Sequence, residues 1–238
     1  MNPVVNHRER LTLSEQTYKA IKSMIFRREF LPGAPLVLDS LGKRLGVSRM
    51  PVLEAIRRLE RDGLVESVPQ WGAHVKQWTR DEMLEAYCIR RALEGEAARY
   101  FVLRANAGDK QRLIELNEQF DAAVMGGHED HSELDAIDSE FHLHIARSSG
   151  FRRLYELIET SKITTTVISG LMLTILPDVE EAKAYHRTLR GCHKPIVEAL
   201  LSRDTEKAVC AVWQHVDTAL AWIMKVAHSE GESLVSPR

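Results

Sequence analysis

Four side chains in the later part of the sequence could share one metal ion: Asp138, His142, His193 and His215. Imidazole and carboxylate are ligand types that suit Zn, Ni, Mn or Fe. Asp138 and His142 are four residues apart, one helical turn on a common face, and Ile145 follows on that face. His193 is in register with Ile196, Val197 and Leu200, and His215 with Ala208, Ala211, Val212 and Ala219, so both interrupt apolar stripes. A polar group buried without a partner costs about 1–3 kcal/mol, and four such intrusions from three helices cost less if they share one ion. The alternative is a core histidine hydrogen-bonded to a neighbour at each place, and the spacing alone leaves both readings open. His144, two residues on from His142, should face away and serves as an internal control. His7, His128, His131 and His228 fall in polar ends or loops, and His74 in a short hairpin.

The elements that must position these groups are helices. From Asp81 onward, apolar residues three or four apart predict helices over 82–103, 110–124, 133–147, 154–173, 179–200 and 205–227. Breaks fall at Asn106-Ala-Gly, Gly126-Gly-His, Ser148-Ser-Gly, Leu176-Pro-Asp and Ser202-Arg-Asp. No stretch shows convincing period-two alternation, so residues 81–228 read as an all-α bundle of six or seven helices. The polar tail over 229–238 reads as flexible.

The first eighty residues differ. A helix opens near Leu13, with Ser14 as its cap and Leu13 and Tyr18 placed for a hydrophobic staple. A short helix over 39–45 follows, then the tight turn Gly46-Val47-Ser48. Ser48 caps a third helix that runs to about Asp62, with Pro51 in its first turn. In that helix Val52, Ile56 and Leu59 face inward and Arg57, Arg58 and Arg61 outward. Two short strands, 64–68 and 73–76, flank Pro69-Gln-Trp-Gly72. Three helices plus a small β-hairpin wing outline a winged helix-turn-helix over 1–80, with its core about 13–77. In such a module the helix after the turn sends its N-terminal residues into the major groove.

Charge supports the division. The whole chain carries a formal net charge of -2, but residues 1–80 hold 14 Lys+Arg against 8 Asp+Glu, and the remainder holds 18 against 26. A basic head on an acidic body argues for a nucleic-acid module joined to something else. Three scattered cysteines, Cys88, Cys192 and Cys210, make no disulfide framework and fit a reducing cytoplasm. The longest apolar stretch, Val167 to Leu176, is short of the ~20 residues that span a bilayer. The first ten residues lack an apolar signal core, so the expected location is cytoplasmic, with no membrane partner.

LPGAPL, LGKRLGVSRMPVLEAIRRLERDGLV and WGAHV closely resemble the GntR family of bacterial transcription regulators across about sixty-five residues without a gap. RRALEGEAAR, the Asp138–Ala146 stretch, His193-Lys-Pro-Ile-Val-Glu-Ala-Leu-Leu and Ala208 to His215 resemble the FCD effector domain of the FadR-type members. The first resemblance implies DNA-binding roles for Ser48, Arg49, Gly72 and Arg58, with Arg49 the foremost candidate for a base or phosphate contact. It withholds them from Asp39, Leu53 and Trp71, where the family is commonly basic. The second implies a divalent metal, foremost Zn, on Asp138, His142, His193 and His215, and a small carboxylate effector.

It also implies an effector-binding role for Arg90, whose other reading is a surface arginine. Thr165 and Ser169, beside Thr164 and Thr166, could line the effector pocket or simply bond back to helix carbonyls. At Ser149-Gly-Phe151 the chain departs from the family, where an Asn commonly follows the glycine. Together these imply a homodimeric regulator, foremost a repressor and not an enzyme, bound to double-stranded operator DNA. Two other readings stay open: a structural metal with regulation by a protein partner, and a metal-dependent enzyme with an accessory DNA-binding domain.

Overall fold

A computed structural model of the chain describes residues 11–126, 131–174 and 188–229. It divides into two compact units, Met1–Lys76 and Gln77–Arg238.

In the first unit, α1 (Leu13–Phe26), α2 (Leu38–Leu45) and α3 (Arg49–Arg61) precede an antiparallel hairpin of β1 (Val65–Val68) and β2 (Gly72–Val75). The cap of α1 is Thr12, not Ser14: the Glu15 amide donates to the Thr12 hydroxyl, and the Thr12 amide donates to the Glu15 carboxylate. This reciprocal pair satisfies two end donors, so a serine two residues later adds nothing as a cap. Ser14 instead donates to Glu54, and Leu13, expected in a staple, is more than half exposed. Tyr18, Ile21, Met24 and Ile25 of α1 form the core with Val52, Ile56 and Leu59 of α3. The turn between α2 and α3 is tight. Gly46 sits at φ 67°, a conformation open to glycine, and the amide of Val47 reaches back to the Gly42 carbonyl. Residues 33–36 run beside β2, with Leu36 donating to Ala73. This is the winged helix-turn-helix that the sequence indicates.

The second unit is all helical among the described residues: α4 (Arg80–Arg104), α5 (Ala107–Gly126), α6 (His131–Ser148), α7 (Arg152–Thr174), α8 (Lys194–Leu201) and α9 (Thr205–Ser229). Thr79 caps α4 through a second reciprocal pair, with Glu82. Tyr87, Phe101, Phe120, Phe141, Ile158, Met172, Ile196, Val212 and Ile223 are buried at its centre, each contributing about 1.5–3 kcal/mol. α4 packs along α9, and at Gly95 a Cβ would stand 2.3 Å from Nε1 of Trp213.

One predicted helix needs correction. The apolar periodicity over 179–200 reads as continuous, but the chain turns through Arg190–His193, with Gly191 at φ 68°, and α8 begins only at Lys194. Periodicity survives a one-turn break because the residues beyond it return to the same core. The earlier part of that stretch, the break at 176–178 and the tail over 230–238 lie outside the described residues, as do His7 and His128.

Candidate metal centre and nucleic-acid interface

In the first unit, Ser48 is the N-cap residue of α3, but its hydroxyl makes no capping bond. Ser48, Arg49 and Met50 form an exposed first turn, and Nη1 of Arg49 lies 4.0 Å from Oδ1 of Asp39 on α2. Both partners are about two-thirds exposed, so this pair is weak and easily exchanged for another anion. Arg58 stands elsewhere. Its guanidinium rests 4.2 Å from the centre of the Tyr18 ring and 3.9 Å from Glu15, both on α1. Gly72 opens β2 at φ 82°, beside Trp71, which is 77% exposed at the hairpin tip.

In the second unit, α6 supplies Asp138 and His142, the turn before α8 supplies His193 as that helix's N-cap residue, and α9 supplies His215. One ligand atom from each lies within 4.8 Å of all the others. Nε2 of His193 is 3.1 Å, and Nε2 of His142 3.7 Å, from Oδ1 of Asp138. The three imidazole centres are 4.9–5.2 Å apart. His144 faces away and is itself buried, Nε2 donating to the Asp109 carbonyl at 2.8 Å.

Two charged residues that sequence reasoning passed over complete this centre. Glu94 of α4 is 4% exposed, accepts from Nε of Arg90 at 2.6 Å, and lies 2.7 Å from Nδ1 of His142. Arg90 is not a surface residue: it too is 4% exposed, and its Nη2 is 3.2 Å from Nε2 of His142. A guanidinium can only donate, so Nε2 accepts and the imidazole proton sits on Nδ1, toward Glu94. That tautomer points a lone pair into the cluster. The second residue is Lys162 of α7, 4% exposed, which donates to Oδ2 of Asp138.

Protonation follows from these contacts. Burial would raise the Asp138 carboxyl, but Lys162 and then the neighbouring His142 and His193 outweigh it and hold it well below the usual carboxylate range. Burial opposes Glu94 likewise, and Arg90 and His142 hold it low. Burial pushes His193 down to about 4, and burial with the neighbouring His193 and His142 depresses His215. Near neutral pH the carboxylates are charged and these two imidazoles neutral, the forms that bind metals.

A small cavity of about 70 Å³ opens beside the cluster, lined by Arg90, Asp135, Asp138, Lys162, Thr165, Ser169 and His215 among others. Thr165 lines it and also bonds back to the Ser161 and Lys162 carbonyls. Ser169 pairs with the Tyr87 hydroxyl at 2.8 Å. Thr164 is half-buried and bonds to the Thr160 carbonyl. Phe151 lies outside the cavity lining, packed on Arg104 and Tyr100.

Residues 13–75 match the family model for bacterial regulatory proteins of the gntR family, and residues 85–218 match that for the FCD domain. The chain belongs to the gntR family. A gntR-family relative from Paenarthrobacter nicotinovorans, named a probable D-xylose utilization operon transcriptional repressor, is 31% identical over 225 residues, 93% of this chain and 92% of that protein. The HTH-type transcriptional repressor RspR of Escherichia coli is 26% identical, with 86% of each chain covered. Among solved structures, E. coli McbR/YncC shares the fold with a TM-score of 0.76 at 23% identity, over 91% of this chain and 99% of that one. Its family and its named relatives make this gntR-family chain a transcription regulator and not an enzyme. Among its described residues no helix is long and apolar enough to cross a membrane.

Proposed function

We propose that the protein is a repressor whose operator affinity is set by a small carboxylate bound at a metal centre in the FCD domain. The observation that carries the reading is the convergence of Asp138, His142, His193 and His215 on one point at the edge of a cavity that Arg90 also lines. The donor set fits a divalent ion, foremost Zn, with Ni, Mn and Fe sharing the ligand chemistry. His193 adds a second test of fit. It is fully buried, and neither ring nitrogen has a hydrogen-bond partner among the described residues, although burial without one costs about 1–3 kcal/mol. An ion held by the four side chains removes that cost and supplies a Lewis-acidic anchor for a carboxylate oxygen.

The chain's own residues then divide the work. Glu94 holds His142 in the metal-binding tautomer. Arg90, already desolvated, has guanidinium donors left over for a carboxylate, the geometry in which arginine is strongest. Ser48 and Arg49, on the exposed first turn of α3, are the groups positioned for base edges, and Gly72 lets the wing backbone turn toward a phosphate. Arg58, held by Tyr18 and Glu15, is given a phosphate contact only if it leaves them. A homodimer would present two such modules to half-sites about one helical turn, ~34 Å, apart.

Calorimetric titration of the chelator-treated full chain with Zn²⁺ tests the metal half of the reading. One ion per chain is expected, with the site lost in His193→Ala and retained in His144→Gln, which keeps a donor for the Asp109 carbonyl. Equal losses in both variants would contradict the assignment of ligands.

A further inference from the structure

Trp71, at the hairpin tip, is the most exposed large hydrophobic side chain among the described residues. An indole left in water forgoes the burial that drives folding. The turn that presents it is costly as well. The Trp71 amide donates to the Val68 carbonyl at 3.1 Å, closing a four-residue turn with Pro69 and Gln70 at its centre. Where the third residue of such a turn is left-handed, glycine or asparagine usually supplies it. Here Gln70 takes that conformation at φ 69°, and Gly72 follows at φ 82°. Backbone strain of this kind gathers at functional sites. The base of the hairpin is braced. The Leu64 amide donates to the Leu59 carbonyl of α3, the Lys76 amide to the Leu64 carbonyl, and the Gly33 and Leu36 amides to the Val75 and Ala73 carbonyls. The tip is therefore tied to α3 through hydrogen-bonded backbone.

We infer that Trp71 is a minor-groove wedge, its indole entering the operator beside the major groove that receives α3, at a flexible A·T step. The inference rests on the proposed reading of the first unit as an operator-binding head. Two observations choose this occupant. The first is charge: residues 64–75 include no lysine or arginine, and Glu66 is exposed. Such a wing draws nothing from phosphates, so its binding resources are the exposed Val68, Pro69 and Trp71 and the Gln70 amide. The second is shape. These groups stand on a narrow projecting turn, whereas a stable protein partner needs about 800 Å² a side. The minor groove of B-DNA, about 6 Å wide, receives projecting apolar side chains, which partly unstack a base step. Pyrimidine–purine steps such as TA unstack most readily, and A·T pairs keep the groove floor free of the guanine amino group.

The test uses the full chain and a labelled operator duplex selected from random DNA. In the first arm the protein is wild type, and operator adenines are replaced one at a time by 2,6-diaminopurine. This base adds an amino group to the minor-groove edge and keeps the donor and acceptor of the major-groove edge. Affinity is expected to fall about tenfold at the wedged step. In the second arm Trp71→Ala is expected to weaken the unmodified operator about 10- to 100-fold, and Trp71→Phe to recover most of the loss. Neither should change the slope of log affinity against log salt, because no phosphate contact is removed. In Trp71→Ala the diaminopurine effect should vanish. Undiminished affinity in Trp71→Ala would overturn the wedge, as would an equal loss on random DNA or a flatter salt slope. A wild type insensitive to diaminopurine at every position would overturn it without recourse to any variant. Loss of operator binding in Arg49→Ala but not in Trp71→Ala would overturn the wedge alone. Failure of the wild type to select any operator would overturn the proposed operator-binding head, and the wedge with it.

Discussion

Replacing Glu94 by Gln probes how the protein prepares His142. The substitution keeps shape and one acceptor but removes the charge that the buried Arg90 guanidinium faces at 2.6 Å and that His142 faces at 2.7 Å. Breaking a buried pair by removing one charged partner costs about 3–5 kcal/mol, and the retained amide oxygen places this case near the lower end. For a chain of this size that corresponds to a fall in Tm of about 6–12 °C. The second effect falls on the metal. Without the carboxylate, Nδ1 of His142 loses its acceptor and the ring can turn over or change tautomer, which weakens metal binding about 10- to 100-fold. Calorimetry of Zn²⁺ binding and thermal unfolding of the metal-free chain measure the two effects separately. Arg152→Gln, at the exposed Arg152–Glu156 pair, is the control and should move neither. A Glu94→Gln protein with unchanged zinc affinity and a Tm within 2 °C of wild type would refute the argument that Glu94 positions His142.

Three further outcomes are expected. Gly95→Ala puts a methyl group 2.3 Å from Nε1 of Trp213, so it should destabilise the α4–α9 packing by about 1–3 kcal/mol and alter Trp213 fluorescence. Thr79→Ala removes the capping hydroxyl from the Glu82 amide and should cost about 1 kcal/mol, read as a Tm lower by about 2–4 °C. Arg49→Ala should weaken operator binding at least tenfold in an electrophoretic mobility assay with the circular dichroism spectrum unchanged, and undiminished affinity would remove Arg49 from the interface.

The sequence showed the metal cluster more readily than its supports, for a physical reason. Histidine and aspartate on apolar stripes are conspicuous because burying them is costly, so Asp138, His142, His193 and His215 stood out one by one. Glu94 and Lys162 did not, because lone charges on long amphipathic helices usually face water. A signal for each was present. Glu94 lies four residues after Arg90 on the stripe that includes Tyr87, Ala98 and Phe101, and Lys162 opens the polar face that continues through Thr165, Thr166 and Ser169. The continuous helix expected over 179–200 failed at Gly191, a breaker hidden within good periodicity. The cap at Thr12 was displaced to Ser14 because both Thr12 and Ser14 are cap formers, and only Thr12 has Glu15 three residues ahead to complete the reciprocal pair. Arg58 read correctly as outward-facing, but outward on α3 includes the side where Tyr18 and Glu15 wait.

The central claim is that a carboxylate at the metal centre changes operator affinity, and it is tested most directly by fluorescence anisotropy of a labelled operator duplex selected from random DNA. The titrant is the small carboxylate that gives the largest thermal shift on the zinc-loaded chain. Allosteric couplings are typically 5- to 150-fold, so operator affinity should fall by a factor in that range when acid is added to the zinc-loaded protein. It should not respond to acid in the chelated protein or in His193→Ala. Saturable acid binding at the metal centre with the same operator affinity in all three proteins would contradict the account.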